Sequence, residues 1–169
     1  VFGAKPLIVI DLATAPNCLA EGTRRFVHGR SSFARMGSGE GGFAFGALTL
    51  GVVLRDLPSH ATSHGSETRR RVPLKAGQGW VFPSVIEGWC AWQGDTAFLN
   101  VEIGREVTGE AGLADPGAIR PVVGQIDALA VQMALALHSA DEAGPTLYRD
   151  SLGTALAVHL ARAEASRTG

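Results

Sequence analysis

The sequence predicts a mainly β protein: a small antiparallel barrel or sandwich, followed by a pair of helices. Three observations carry this. Between Leu48 and Ile103 short apolar runs alternate with Gly, Pro and charged clusters, the spacing of short strands joined by tight turns. Glycine supplies 22 of the 169 residues, roughly twice its usual share of about 7%, mostly in the first two-thirds of the chain. After Val123 the apolar period changes from two to that of a helix. Residues 1–123 therefore read as the β unit and residues 124–169 as a two-helix segment.

In chain order, Leu7-Ile8-Val9-Ile10 is a short apolar run suited to a buried strand. Residues 13–22 hold Pro16, Asn17 and Gly22 and read as a loop. Arg24 to Arg35 alternates weakly through Phe26, His28, Ser31 and Phe33. Met36 to Gly42 carries four glycines and reads as a second loop. Its spacing faintly resembles a phosphate-cradling turn, but no helical pattern follows to supply the dipole and amides such a site needs.

Phe43 to Leu57 is the strongest strand signal. It is long for one strand, so Gly46 or Gly51 is expected to mark a bend. Pro58 to Gly65 reads as a turn, and Thr68 to Leu74 as a strand with one wet face. Trp80–Phe82, Trp89–Trp92 and Thr96–Ile103 complete the set. Arg105 to Gly112 is a short helix or loop, and Pro116 to Val123 adds an edge strand.

Ile126, Leu129, Ala130, Met133 and Leu137 then fall on one helical face, with Asp127 at the end where the helix dipole is positive. Pro145 opens a second helix. Tyr148, Leu152, Ala155, Leu156, His159 and Leu160 form one side of it. Leu147, Thr154, Val158 and Ala161 form another. A helix apolar on two sides has two surfaces to bury, so the second set is the expected interface with another copy of the chain.

Composition narrows the function classes. A formal charge of -1 leaves no basic footprint for nucleic acid on this segment. No apolar run approaches the roughly 18 residues a membrane span requires. Cys18 and Cys90 stand in no metal-binding or redox spacing, which suits a reduced, cytoplasmic protein.

The order of these patterns resembles the amino-terminal, effector-sensing half of AraC-type transcriptional regulators. Three pieces carry the resemblance: Leu48 to Ile103 with Gly77-Gln78-Gly79-Trp80-Val81-Phe82-Pro83 at its centre; Ile119-Arg120-Pro121-Val122 leading into the helix around Leu129 to Leu137; and the final helical stretch from Leu147 to Arg162. The resemblance implies a cupin-like jelly-roll barrel, then two helices that pair two protomers. DNA would be contacted only through a helix-turn-helix half, which this sequence does not contain.

Catalytic cupins hold a metal on a His-x-His pair, a Glu and a later His. Gly77 and Pro83 keep the Gly-x5-Pro spacing of that motif, but the last His position is Gly88. His60 and His64 lie four apart with Glu67 beyond, and these three are the ligands a metal-dependent isomerase or dioxygenase would use. No nucleophile motif such as Gly-x-Ser-x-Gly occurs. The expectation is therefore binding without catalysis, cofactor or metal.

The three Trp residues, Trp80, Trp89 and Trp92, lie within thirteen positions, beside Phe82 and Phe98. Inward rings either fill a small barrel or wall a small-molecule site. By the period of two, Trp89 and Cys90 take opposite faces, as do Ala91 and Trp92. Trp80, Phe82, Trp89 and Trp92 are the candidate ligand-binding residues. Arg70, flanked by Arg69 and Arg71, is either a candidate partner for an anionic effector or part of a charged strand edge.

Overall fold

The computed structural model describes residues 12, 15–65, 68–84, 86–110, 119–140 and 146–168. The expected strand at Leu7–Ile10 lies outside them, as does Glu67. A short helix α1 (Ala15–Cys18) leads into strands β1 (Gly22–Phe26), β2 (Gly29–Met36), β3 (Gly39–Ala44), β4 (Leu48–Val53) and β5 (Ala61–His64). Strands β6 (Arg70–Arg71), β7 (Gly79–Phe82), β8 (Glu87–Trp92) and β9 (Thr96–Ile103) follow. Helix α2 (Arg105–Glu110), strand β10 (Val122–Gly124) and helices α3 (Ala128–Ser139) and α4 (Thr146–Thr168) complete the chain.

The strands form two antiparallel sheets. The larger has the order β1-β2-β9-β4-β7-β10, and the smaller β3-β8-β5-β6. The pairing is nested: β2 meets β9, β3 meets β8, β4 meets β7 and β5 meets β6. A single long hairpin would make those four pairings. Curling it brings β4 also onto β9 and β5 also onto β8, which splits the ladder into two layers.

Residues alternate between the two faces of each strand. One face of the larger sheet is aliphatic: Leu48, Leu50, Val52, Leu99, Val101 and Ile103 are fully buried. They share one core with Ala134, Leu135 and Leu137 of α3 and Leu156, Ala157 and Leu160 of α4. Both helices thus lie on the larger sheet, and the smaller sheet covers its opposite face.

Polar ties fix the helices. Asp127 caps α3, its side chain accepting from the Ala130 N–H at 2.9 Å. His138, fully buried, bonds the Ser31 hydroxyl through Nδ1 at 2.8 Å and donates from Nε2 to the Ala20 carbonyl at 2.7 Å. In α4, Arg149 donates to the Arg25 carbonyl at 2.8 Å, and Asp150 accepts from the Val27 N–H. A side chain at Gly153 would strike the Phe26 ring at 2.5 Å, so this glycine lets α4 close onto the first hairpin.

The structure corrects several expectations. Strand β3 takes in Gly39 to Gly42, where a loop was expected, and Ala61–His64 is a strand where a turn was expected. The long run from Phe43 breaks between Ala44 and Leu48, around Gly46, whereas Gly51 lies inside β4. Thr68 to Leu74 contributes only the two residues of β6 and an isolated bridge from Leu74 to Leu57.

The helix faces are rotated from those expected. Leu129 and Tyr148 are exposed, as is Ala155, while Val131, Ala157 and Ala161 turn inward. Ala161 is buried within the protein's own packing at 7% exposure, so it is not available to a second copy. Leu147 and Thr154 are exposed and Val158 is half-buried.

Candidate functional site

The face of the larger sheet turned away from the helices carries different residues. Where β4, β7 and β9 present Leu50, Val81 and Leu99 to the helices, they present Gly51, Val53, Trp80, Phe82, Phe98 and Asn100 to the smaller sheet. Between the sheets lies a cavity of about 240 Å³. Phe43, Phe45, Thr62, Cys90 and Trp92 close it from the other side, and His60, Leu57, Thr96 and Val123 stand at its margins.

The space exists because large rings lie flat over residues that have no side chain. Trp80 is directly opposite Gly51, and a Cβ at Gly51 would meet the indole at 2.0 Å. The indole is pinned there by its N–H, which donates to Asn100 Oδ1 at 3.0 Å. Asn100 is the other cross-strand neighbour of Gly51. In the smaller sheet the Phe43 ring covers Gly88 and the Trp92 ring covers Gly39, each pair again directly opposite. A ring laid along the sheet occupies less of the gap between layers than one standing upright.

The two ends of the cavity differ. At one end Phe43, Phe45, Phe82 and His64 form a stacked and tilted cluster with centroids 5.1–5.8 Å apart. The other end, near the β8–β9 turn, carries the polar groups. There His60, 5% exposed, donates from Nδ1 to the Val72 carbonyl at 3.0 Å. Burial pushes its pKa down, against the opposing effect of the Val72 bond, so the ring stays neutral near pH 7. Thr96, 3% exposed, has a buried hydroxyl with no hydrogen-bond partner among the described residues. Cys90 is a free thiol whose pKa burial raises, which keeps it protonated and a poor nucleophile.

Of the residues singled out from sequence, Trp80, Phe82 and Trp92 line this cavity. Trp89 does not. It alternates with Cys90, which faces inward, so its ring lies on the outer face of β8 under the Arg69 guanidinium at 3.8 Å. Arg70 is exposed on the edge strand β6 and is not among the lining residues. By register it shares a side of the sheet with Thr62, but no arginine contributes charge to the wall. Lining residues that sequence reasoning did not name include Asn100, Thr96 and Phe45. The Asn100–Trp80 pair had one visible signal, an amide in the middle of β9 on the same face as Phe98.

The metal-ligand set is not brought together. His60 bonds a carbonyl at one end of the cavity, while His64 touches the Phe82 ring at the other. Four residues along an extended chain span roughly 13 Å, too far for two imidazoles to share an ion. Glu67 lies outside the described residues, and among those described no group of three His, Cys, Asp or Glu side chains could hold a metal.

The structure does bring a serine and a histidine together, Ser31 and His138. Both are fully buried, and the second imidazole nitrogen is bound to a carbonyl rather than an acid. That pair ties a helix to the sheet and presents nothing to a substrate.

No protein-family model, curated protein or solved structure matches the chain. No described helix is long and apolar enough to cross a membrane.

Proposed function

We propose that this protein is a small-molecule-sensing module in which the cavity between the sheets binds an effector and the C-terminal helices transmit its presence. The observation that carries the reading is the alternation in β4, β7 and β9. Phe98 and Asn100 face the cavity, whereas Ala97, Leu99 and Val101 on the same strand pack against the helical layer. Whatever shifts β9 from one side is felt on the other. An effector biases the helices only by binding one of their arrangements more tightly than the other.

The nested strand pairing supports reading the two sheets as a jelly roll of the cupin type, with β1 and β10 added at the margins of the larger sheet. On that reading the module belongs to a cytoplasmic AraC-type regulator. Its DNA contacts come from a helix-turn-helix half outside this sequence. Leu147, Thr154 and Val158 on the outer side of α4 are where two copies pair. Gene sequence beyond Gly169 lacking two helix-turn-helix patterns would count against that family.

The binding part is tested directly by thermal denaturation with a panel of small neutral and charged compounds. The expected result is a rise in Tm for a subset, with slowed amide exchange in both β9 and α3. A panel in which no compound raises Tm would refute it.

A further inference from the structure

The lining of the cavity narrows what it holds, on the reading that it is a ligand site at all. No Asp, Glu, Lys or Arg is among the lining residues, and burying an ion without a counter-charge is strongly unfavourable. The walls are ring faces, from Trp80 and Phe98 in one sheet to Phe43 and Trp92 in the other. Flat walls favour a flat occupant, which stacks or meets them edge-on. An apolar cavity of about 150 Å³ is enough for benzene. At about 240 Å³, this one has room for a single ring with a short substituent, on the order of ten non-hydrogen atoms by the same scale.

The polar end adds a direction. A carbonyl oxygen only accepts, so the bond to Val72 places the proton of His60 on Nδ1. In the neutral ring Nε2 is then an acceptor. Thr96 Oγ1 is enclosed and without a partner among the described residues, and an enclosed hydroxyl left unbonded costs about 1–3 kcal/mol. Thr96 and His60 stand at the same end of the sandwich. The Ser59 hydroxyl, next to His60, bonds both the carbonyl and the N–H of Gln93, three residues before Thr96.

We propose that the cavity binds a neutral phenol, its ring lying between Trp80, Phe98 and Trp92 and its hydroxyl set between Thr96 and His60. The phenol oxygen accepts from the Thr96 hydroxyl, and the phenol O–H donates to His60 Nε2. This pairs the Thr96 hydroxyl, the lining hydroxyl without a partner among the described residues, and leaves no charge buried. Carboxylates of the same shape are rejected, because nothing in the wall neutralises them.

The test compares three probes of one shape, 4-ethylphenol, ethylbenzene and 4-ethylbenzoate, by calorimetric titration at pH 7 against the unmodified chain and Thr96→Val. At that pH a phenol is neutral. The expected order is 4-ethylphenol tightest, ethylbenzene weaker by about ten-fold or more, and 4-ethylbenzoate not bound. A site built to bond a hydroxyl discriminates strongly against an analogue lacking it. Thr96→Val should remove most of the advantage of the phenol while leaving ethylbenzene binding unchanged, a split that a general loss of folding would not produce. Equal binding of the phenol and ethylbenzene, or preferential binding of the benzoate, would overturn the phenol assignment yet leave the cavity a ligand site. Failure of all three to bind, with no Tm response to the wider panel, would remove the sensing reading itself.

Discussion

The two faces of the larger sheet are built from the same strands and do opposite things. Toward the helices, Leu50, Val52, Leu99 and Val101 are branched, of similar size and completely buried within one core. Toward the smaller sheet, the alternate residues of those strands are Gly51, Val53, Phe98 and Asn100, and a cavity remains. Both faces are largely apolar, so hydrophobicity does not separate them. Size contrast does. A face of medium-sized branched residues fills evenly, whereas rings laid over glycines leave hollows where the rings end.

The comparison predicts unequal costs for truncation. Leu99→Ala, on the filled face, should destabilise by about 2–5 kcal/mol in urea unfolding, because helix and sheet cannot collapse around the lost volume. The same measurement on Thr96→Val, on the hollow face of the same strand, should show no loss of stability. A similar cost for both would mean that the Thr96 hydroxyl is bonded in the folded protein rather than idle.

A second break comes from adding one carbon rather than removing several. Gly51→Ala places a methyl group where the Trp80 indole lies. The ring must lift, and its bond to Asn100 is lost. Overpacking of this kind costs about 1–3 kcal/mol. The signature that sets it apart from ordinary destabilisation is a blue shift in tryptophan emission together with loss of ligand binding, since the displaced ring leaves its polar partner and enters the apolar cavity. Unchanged emission would show that the indole does not rest on Gly51.

The helical layer is sensitive at its cap. Asp127 has its pKa held down chiefly by the Ala130 N–H, against the opposing effect of burial, with the His159 imidazole at 2.6 Å adding to the lowering. The folded value lies below the unfolded one of about 4. The stabilisation is therefore complete above that unfolded value and is lost as the pH falls through the folded value. Asp127→Ala should cost about 1 kcal/mol at pH 7. Asp127→Asn should keep most of the cap but flatten the dependence of stability on pH below about 4. An unaltered acid profile in Asp127→Asn would assign that dependence elsewhere.

How much of this contrast is legible in the chain depends on whether a residue's role is set locally. Strand β9 can be read from Thr96 to Ile103, because the aliphatic residues Ala97, Leu99, Val101 and Ile103 fall on every second position, which is a local signal. The helices are visible from their period, although Leu129 and Tyr148 are exposed where the pattern places them inward. Strand β3 is hidden because Gly39, Gly41 and Gly42 look like a loop until Trp92 is known to lie across Gly39. Strand β5, Ala-Thr-Ser-His, is polar enough to pass for a turn, and only its partner β8 makes it a strand. For the cavity, the aromatic cluster is visible, but the glycines that make it hollow belong to distant strands, and no local pattern pairs Gly51 with Trp80.

The sharpest small test concerns Trp89, which the period of two sends to the outside once Cys90 is inside. There the Arg69 guanidinium sits over its ring, an exposed contact worth about 0.5–1 kcal/mol. Arg69→Ala should lower stability by no more than that, and Trp89→Leu should leave the affinity of any cavity ligand unchanged. Trp92→Leu, three residues on and facing inward over Gly39, should weaken the same ligand. Because Trp89 and Trp92 lie on one short strand, both substitutions disturb the same ladder, so damage to β8 alone would lower affinity in the two variants alike. Only the side on which each ring stands separates them.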